Sequence, residues 1–310
     1  MKILIVGPGN VGKELASQAR VSGHEISFFG RGDNKCEFRG RAAKCDVVCI
    51  TIPTMGRGEE EIFFTTESRE EGKPVVLSAK AAMAYRFDEI VSHLPHMSIS
   101  TIVGGASGML HLITMPSIGL FKIVGIVNGT INFLLSRVAE GVPWEQALEE
   151  AVKKQLTEGG SGLEEVFRRE IRDTVLKAAC IVNLARLFPE SMVTPDEFTC
   201  QKLGKKEILR LFEARQYRLV VRIVRQTRAQ TPFIPHLFHL WREGWSIIGE
   251  FEKPNPEEFP HGVPKDEQNM LAVWNHAGRS EFCGIGAGAR PTAAMMLREA
   301  EQQFFARQMY

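Results

Sequence analysis

The sequence predicts an α/β protein in which a Rossmann-type, doubly wound parallel sheet is joined to a second domain of α+β structure. Short apolar runs alternate with amphipathic segments through the first hundred residues, which is typical of a parallel sheet with helical crossovers. A glycine-rich turn directly follows the first apolar run. After Val103 the alternation ends, and a length of 310 residues favours two domains.

The elements of the first domain follow from its apolar runs. A β-branched run predicts the first strand, helical periodicity follows it, and three further runs predict strands. In chain order these segments are Lys2–Val6, the helix at 11–22, Glu25–Phe29, 46–52 and 74–77.

The second part of the chain has longer helices and scattered strands. The first segment begins as an apolar run and continues with helical periodicity, and two further helices are predicted after it. Two strands follow, and an amphipathic helix is predicted at the end of the sequence. The segments before that last helix are 125–137, 143–156, 163–187, 218–224 and 269–274.

Composition and charge exclude several classes of function. Lys plus Arg number 38 and Asp plus Glu number 37, so we expect no nucleic-acid partner and no anionic membrane. No segment approaches the roughly 18 apolar residues of a membrane span, and the N-terminal segment lacks the features of a signal peptide. The six cysteines lack metal-type pairing. We therefore expect a cytoplasmic protein that binds small molecules.

The turn Gly-Pro-Gly-Asn-Val-Gly predicts a dinucleotide site because it lies between a strand and a helix. Gly7 permits the tight turn, Gly9 lets the backbone approach a pyrophosphate, and Gly12 lets helix and strand pack closely. The N-terminus of the helix, at Asn10 and Val11, offers free N–H groups to the phosphates. A turn that binds no ligand is the alternative.

The end of the second predicted strand bears on the choice of cofactor. Where an NAD enzyme often has a carboxylate for the ribose 2′-hydroxyl, the sequence reads Phe29-Gly30-Arg31-Gly32. A missing carboxylate beside Arg31 favours a 2′-phosphate and therefore NADP. NAD stays open, since Arg31 can also be a solvated loop charge. We place Thr51, in the third predicted strand, among the cofactor-binding residues.

Three further motifs resemble those of the homoserine dehydrogenase family. The segment GIVNGTINFLL at 125–135 is similar to the family signature around its Asn-Gly-Thr triplet, and GIGAGARPTA at 284–293 is similar to the closing motif. The segment VVLSAK at 75–80 resembles the strand that ends in the family's active-site lysine. With the N-terminal glycine turn, these motifs span nearly the whole chain. The sequence resembles the short form of the family, without a C-terminal regulatory domain.

The resemblance implies an oxidoreductase with an NAD(P) cofactor that interconverts aspartate 4-semialdehyde and homoserine in threonine, methionine and isoleucine biosynthesis. It also implies that residues 1–103, completed by the helix at 288–310, bind the dinucleotide. Residues 104–287 then bind the substrate and form a homodimer.

Two lysines are the predicted catalytic residues. By the resemblance, Lys177 is the general acid that protonates the carbonyl oxygen, and Asp173 holds the substrate's ammonium group or orients the lysine. Their i, i+4 spacing places both side chains on one helix face. Lys80, from the other domain, shares the catalytic role and also contacts the cofactor. An exposed salt bridge between Asp173 and Lys177 is the alternative.

The remaining predicted site residues also come from the resemblance. Glu158 corresponds to the carboxylate that grips the substrate's amino group, and Gly129 and Thr130 contact the same ligand. Gly286, in the closing motif, belongs to the cofactor-binding residues. No metal site is predicted, because Ser100 stands near the position of the glutamate that assists a cation in the family.

The chain departs from the family pattern between Glu158 and Asp173. The Asp-Pro dipeptide is missing, and Arg168 and Ile171 replace a second Asp and a Gly. Three glutamates are candidates to replace the missing carboxylate, and the sequence does not decide between them: Glu164, Glu165 and Glu170.

The basic segment at 218–228 alternates like a strand with one charged face, which predicts a solvated sheet edge rather than a nucleic-acid site. Two other functions remain open. One is a dehydrogenase of the same architecture that acts on another small amino or hydroxy acid, and the other is a non-catalytic NADP-binding protein.

Overall fold

The structure is a computed structural model that describes residues 1–114, 119–157, 160, 162–225 and 236–308. The chain divides into two compact units, one formed by 1–106 with 289–310 and the other by 107–288. Within the described ranges, no helix has both the length and the apolar character that crossing a membrane requires.

The first unit is built on five parallel strands in the order β2-β1-β3-β4-β5. The strands are β1 (Lys2–Val6), β2 (Glu25–Phe29), β3 (Val47–Ile50), β4 (Val75–Leu77) and β5 (Met97–Ser98). Its α-helices are α1 (Asn10–Val21), α2 (Phe38–Ala43), α3 (Glu59–Glu70), α4 (Ala81–Tyr85), α5 (Phe87–Ile90) and the C-terminal α11 (Ala289–Gln308).

Strand β1 lies between β2 and β3, and this position determines where the sheet can bind a ligand. Strands β1 and β3 are buried on both faces, as is typical of a parallel sheet. On one face, Ile3 and Val47 share a core with Leu15 of α1 and Met296 of α11. The chain leaves β1 toward β2 on one side and reaches β3 on the other. This arrangement makes the carboxyl ends of β1 and β3 a topological switch point, where open α/β sheets bind ligands.

The second unit is built on seven antiparallel strands in the order β12-β11-β6-β8-β10-β9-β7. These are β6 (Lys122–Ile126), β7 (Thr199–Cys200), β8 (Arg218–Arg225), β9 (Phe238–Arg242), β10 (Trp245–Glu252), β11 (Gln268–Asn275) and β12 (Gly278–Ile285). Its helices are α6 (His111–Thr114), α7 (Gly129–Ala139), α8 (Trp144–Lys153), α9 (Leu163–Leu184) and α10 (Lys205–Ala214). The predicted class, a Rossmann-type sheet with a second α+β domain, is confirmed.

The predicted solvated edge at 218–228 is wrong. Strand β8 lies inside the sheet between β6 and β10, and residues 226–228 fall outside the described part of the chain. Arg222 is largely buried, and its guanidinium donates to Glu250 (3.1 Å), to Glu252 (2.6 Å) and to Glu258 (2.6 Å). The charge is compensated by carboxylates that are distant in sequence, which the alternation of β8 alone cannot indicate.

Arg222→Met should lower the free energy of unfolding by about 3 kcal/mol, because it leaves a buried carboxylate cluster without its central cation. Urea denaturation checks this value. Arg225→Met, at the exposed end of the same strand, is the matched control and should change it by less than about 0.5 kcal/mol. Equal losses in the two variants would contradict the stabilising role of Arg222.

Candidate active site

The glycine turn is shaped by contacts between β1 and β3. Gly7 has a φ of 98°, in the left-handed region that favours glycine. The Thr51 hydroxyl donates to the Gly7 carbonyl oxygen at 2.7 Å, and a Cβ atom at Gly12 would lie 2.2 Å from that oxygen. Any side chain at Gly12 would therefore force the turn open. Thr51 holds the turn in the structure, and its contact with the cofactor stays a prediction.

The N-terminus of α1 is accessible at this turn. Gly9 is exposed at the N-cap position, and a Cβ atom there would have no neighbour within 4 Å. Since Gly9 has no side chain to cap the helix, the N–H groups of Asn10 and Val11 can donate to an external anion, and the helix dipole favours negative charge there. These residues fit the pyrophosphate of a dinucleotide.

The end of β2 carries a carboxylate that the sequence analysis missed. The Gly30 N–H donates to Asp33 Oδ2 at 2.6 Å, and Arg41 Nη2 donates to Asp33 Oδ1 at 2.9 Å. Arg31 is exposed on the same loop. Asp33 follows residues 29–32, where the sequence analysis looked for a carboxylate. The loop folds back so that the Asp33 carboxylate reaches the end of β2. A carboxylate therefore lies at this strand end, and the choice between NADP and NAD stays a prediction.

Lys80 follows β4 and is half-buried at the N-cap position of α4. The next two residues are held by Glu61 of α3, which accepts hydrogen bonds from Ala81 N (3.2 Å) and Ala82 N (2.6 Å). Glu61 is 1% exposed, and this burial raises its pKa to about 7. Glu61 fixes the backbone that carries Lys80. In the sequence, Glu61 is the last of three consecutive glutamates in the first turn of α3. Such a run is typical of exposed positions, so the sequence does not indicate that Glu61 is buried.

In the second unit, Lys177 and Asp173 form a close pair on α9. Lys177 Nζ lies 2.7 Å from Asp173 Oδ2 and donates to the Val127 carbonyl oxygen at 2.8 Å. Lys177 is 7% exposed. A buried ammonium group needs such partners, because an unpaired charge is costly in a low-dielectric interior. The alternative of an exposed salt bridge is wrong.

A second side chain shares the carbonyl that holds Lys177. Asn269 is fully buried and donates through Nδ2 to the Val127 oxygen at 3.0 Å. A Cβ atom at Gly286 would lie 2.1 Å from Asn269 Cγ. The structure thus explains the glycine in the closing motif by the space that Asn269 needs. The predicted contact of Gly286 with the cofactor stays a prediction.

Of the three candidate carboxylates, Glu170 lies on the face of the pair. Asn128 Nδ2 donates to Glu170 Oε2 at 3.1 Å while Asn128 Oδ1 caps α7. Burial, followed by the charge of Asp173, raises the pKa of Glu170, and Lys177 opposes this shift. The other two candidates point to different partners: Glu164 accepts from Lys205 N, and Glu165 pairs with Arg168.

The remaining predicted substrate residues are structural neighbours of this face. The Thr130 hydroxyl donates to the Leu156 carbonyl oxygen at 3.1 Å. A Cβ atom at Gly129 would lie 2.8 Å from both Ala287 Cβ and the Glu267 carbonyl oxygen, so close packing requires a glycine there. Glu158 lies outside the described residues, and its predicted contact with the substrate is not tested.

The protein has the two-domain architecture of a dehydrogenase. One unit has a parallel sheet with a glycine turn at its switch point, and the other has an antiparallel sheet and a buried lysine. The fold is similar to the crystal structure of a homoserine dehydrogenase from Thermoplasma acidophilum, with a TM-score of 0.66 at 17% identity. The similarity covers 97% of this chain and 98% of that one.

Sequence comparison gives the family. The homoserine dehydrogenase family model matches residues 116–300. The chain is 26% identical to the homoserine dehydrogenase of Sulfurisphaera tokodaii over 51% of its length, and 25% identical to that of Corynebacterium glutamicum over 81%. It spans 61% and 55% of the lengths of these two relatives. The chain belongs to the homoserine dehydrogenase family, and the resemblance found in its motifs is confirmed.

The pKa of Glu61 makes stability depend on pH. The folded chain keeps this carboxyl protonated up to a pH of about 7, whereas the unfolded chain loses the proton near pH 4.3, as an unperturbed glutamate does. The contribution of Glu61 to the free energy of unfolding should therefore fall as the pH rises through this window, by up to about 3 kcal/mol.

Urea denaturation at about pH 5 and about pH 8 checks this dependence, with Glu61→Gln compared to the wild type. The stability of the wild type relative to this variant should decrease between the two pH values. Glu60→Gln, an exposed neighbour on α3, is the control and should show a constant difference. A difference for Glu61→Gln that does not change with pH would refute the assignment.

Proposed function

We propose that the chain is an NAD(P)-dependent homoserine dehydrogenase that interconverts aspartate 4-semialdehyde and homoserine. The observation that carries the proposal is the buried ammonium of Lys177, held by Asp173 and the Val127 carbonyl oxygen. An ammonium group fixed by two acceptors is oriented to donate its third proton to a carbonyl oxygen. Family membership supports this role.

Proton transfer by Lys177 is one half of the proposed reaction. A bound NAD(P) cofactor would supply the hydride for reduction of the aldehyde and would accept it in the reverse reaction. As negative charge develops on the aldehyde oxygen, Lys177 gives up a proton and Asp173 stabilises the lysine's charge before transfer. In the oxidation of homoserine, neutral Lys177 takes the hydroxyl proton. Lys80 is proposed to share this role.

The dinucleotide is proposed to bind in the unit formed by 1–106 and 289–310, at the glycine turn. The backbone N–H groups at the start of α1 would hold the pyrophosphate, since Gly9 leaves that position open. At the end of β2, exposed Arg31 supports NADP, the cofactor favoured by the sequence, while the carboxylate of Asp33 supports NAD.

The substrate's amino group is proposed to bind the carboxylates beside Lys177. Glu170 is the candidate that supports this role, because it shares the helix face with Asp173 and is bonded to Asn128 of the family signature. Glu158, Gly129 and Thr130 remain proposed substrate residues on the strength of the resemblance. A homodimer that acts in the cytoplasm, in threonine and methionine biosynthesis, is part of the same proposal.

A second candidate function is a dehydrogenase for another small amino or hydroxy acid. One observation favours it: Arg168, which replaces a family carboxylate, is exposed and paired with Glu165. This position therefore offers no negative charge to a substrate's amino group.

Lys177→Met should lower kcat by about 1000-fold, because the proton donor is removed. Since the change also removes the ammonium group that Asp173 contacts, Lys177→Arg is a second variant. The arginine keeps the positive charge, cannot lose a proton near neutral pH, and should lose as much activity. The exposed Lys206→Met is the matched control and should keep wild-type turnover. Initial rates check these values. The Kd for the reduced cofactor, measured for each variant, shows whether the variant is folded.

Near-normal turnover in both Lys177 variants would remove Lys177 from the mechanism. Retained cofactor binding together with lost turnover is the result that supports its role.

Among small amino and hydroxy acids, L-homoserine should give the highest kcat/KM in a panel followed by the absorbance of the reduced nicotinamide. Higher kcat/KM for another acid would favour the second candidate function. Cofactor binding without turnover of any panel member would indicate a non-catalytic NAD(P)-binding protein.

A further inference from the structure

We propose that Asp33 selects the dinucleotide at the adenosine ribose, and that its carboxylate makes the chain bind NAD(H) more tightly than NADP(H). The inference rests on the proposed function only in that a nicotinamide dinucleotide binds at the glycine turn. It does not depend on which acid or aldehyde reacts.

The first support is the position of Asp33. Its Oδ2 accepts from the N–H of Gly30, the residue after β2, at 2.6 Å. A Cβ atom at Gly30 would lie 3.6 Å from Pro8 Cγ and 3.8 Å from Asp33 Oδ2, so the carboxylate and the glycine turn are near neighbours. This strand end is where a carboxylate accepts a hydrogen bond from the ribose 2′-hydroxyl in NAD-binding sheets.

The second support is that this carboxylate is fixed rather than mobile. Arg41 donates to Asp33 Oδ1 at 2.9 Å and to the Phe28 carbonyl oxygen at 3.1 Å. Its guanidinium also lies over the Phe29 ring, 5.3 Å from the centroid. Arg41 thus connects Asp33 to two residues of β2. A side chain held at both oxygens loses little conformational entropy on binding a ligand.

The third support is the charge at this strand end. The hydrogen bond from Gly30, together with the charge of Arg41, lowers the pKa of Asp33, so its carboxylate stays ionised near neutral pH. An ionised carboxylate accepts a hydrogen bond from a 2′-hydroxyl and repels a 2′-phosphate. Arg41 already pairs with Asp33, whereas exposed Arg31 on the same loop is a cation that can meet a phosphate.

A purely structural role for Asp33, as the acceptor that closes the loop on Gly30, is the competing explanation. Asp33→Asn separates the two roles. The asparagine oxygen can still accept from the Gly30 N–H, so the loop closure is kept, whereas the negative charge is lost. Only the selecting role predicts a change in cofactor preference in this variant.

The test measures Kd for NADH and for NADPH separately, by titrating the nicotinamide fluorescence of each against the full chain. The wild type should bind NADH more tightly. Asp33→Asn should shift the ratio of the two dissociation constants toward NADPH by about tenfold, because a like-charge repulsion is removed. Arg31→Ala should weaken NADPH binding and leave NADH binding unchanged.

Glu37→Gln is the matched control, because Glu37 is an exposed carboxylate that also contacts Arg41, at 3.4 Å. It should change the ratio by less than about twofold. An unchanged ratio in Asp33→Asn, or a wild type that prefers NADPH, would overturn the inference.

The titration also separates this inference from the proposed function. If neither cofactor binds the wild type, both are overturned. A tenfold shift in a chain that does not oxidise homoserine supports the selecting role of Asp33 and removes only the proposed substrate.

Discussion

The burial of one ammonium group organises the second unit. A lysine that is nearly excluded from water is unstable unless its charge has fixed partners, and Lys177 has Asp173 on its own helix and the Val127 carbonyl oxygen beyond β6. That carbonyl also accepts from Asn269 on β11, and the space for Asn269 exists because residue 286 is a glycine. The signature after β6, the lysine helix and the closing motif are therefore parts of a single packing arrangement.

In the first unit, two carboxylates accept hydrogen bonds from the backbone, but their pKa values are shifted in opposite directions. Glu61 accepts a hydrogen bond from the N–H of Ala81, next to Lys80, and Asp33 accepts one from the N–H of Gly30, next to Arg31. Burial dominates for Glu61 and raises its pKa, whereas the hydrogen bond from Gly30 dominates for Asp33 and lowers its pKa. Position in the fold therefore sets the direction in which the pKa of each carboxyl group shifts.

The prediction for β8 was wrong and Asp33 was overlooked, for two different physical reasons. Alternation predicted β8 and its charged face, but the neighbours of a strand are set by the whole sheet, so the burial of Arg222 was not predictable. Reading four residues at the end of β2 missed Asp33, because a loop that folds back places it at the strand end. The partners of Arg222 lie 28 to 36 residues away in sequence, whereas Asp33 lies three residues from Gly30, where the conformation of a short loop decides the contact.

Local sequence was enough to predict the strand–turn–helix unit at the glycine turn, the helical spacing of Asp173 and Lys177, and the family of the chain. These features depend on neighbours within a few residues, where backbone geometry fixes the relation between side chains. The packing of distant segments brought Asn128 to Glu170, rather than to Glu164 or Glu165, and placed Asn269 on the carbonyl that holds Lys177. Such pairings arise when distant segments pack together, and the burial that results sets the charge and the orientation of each group.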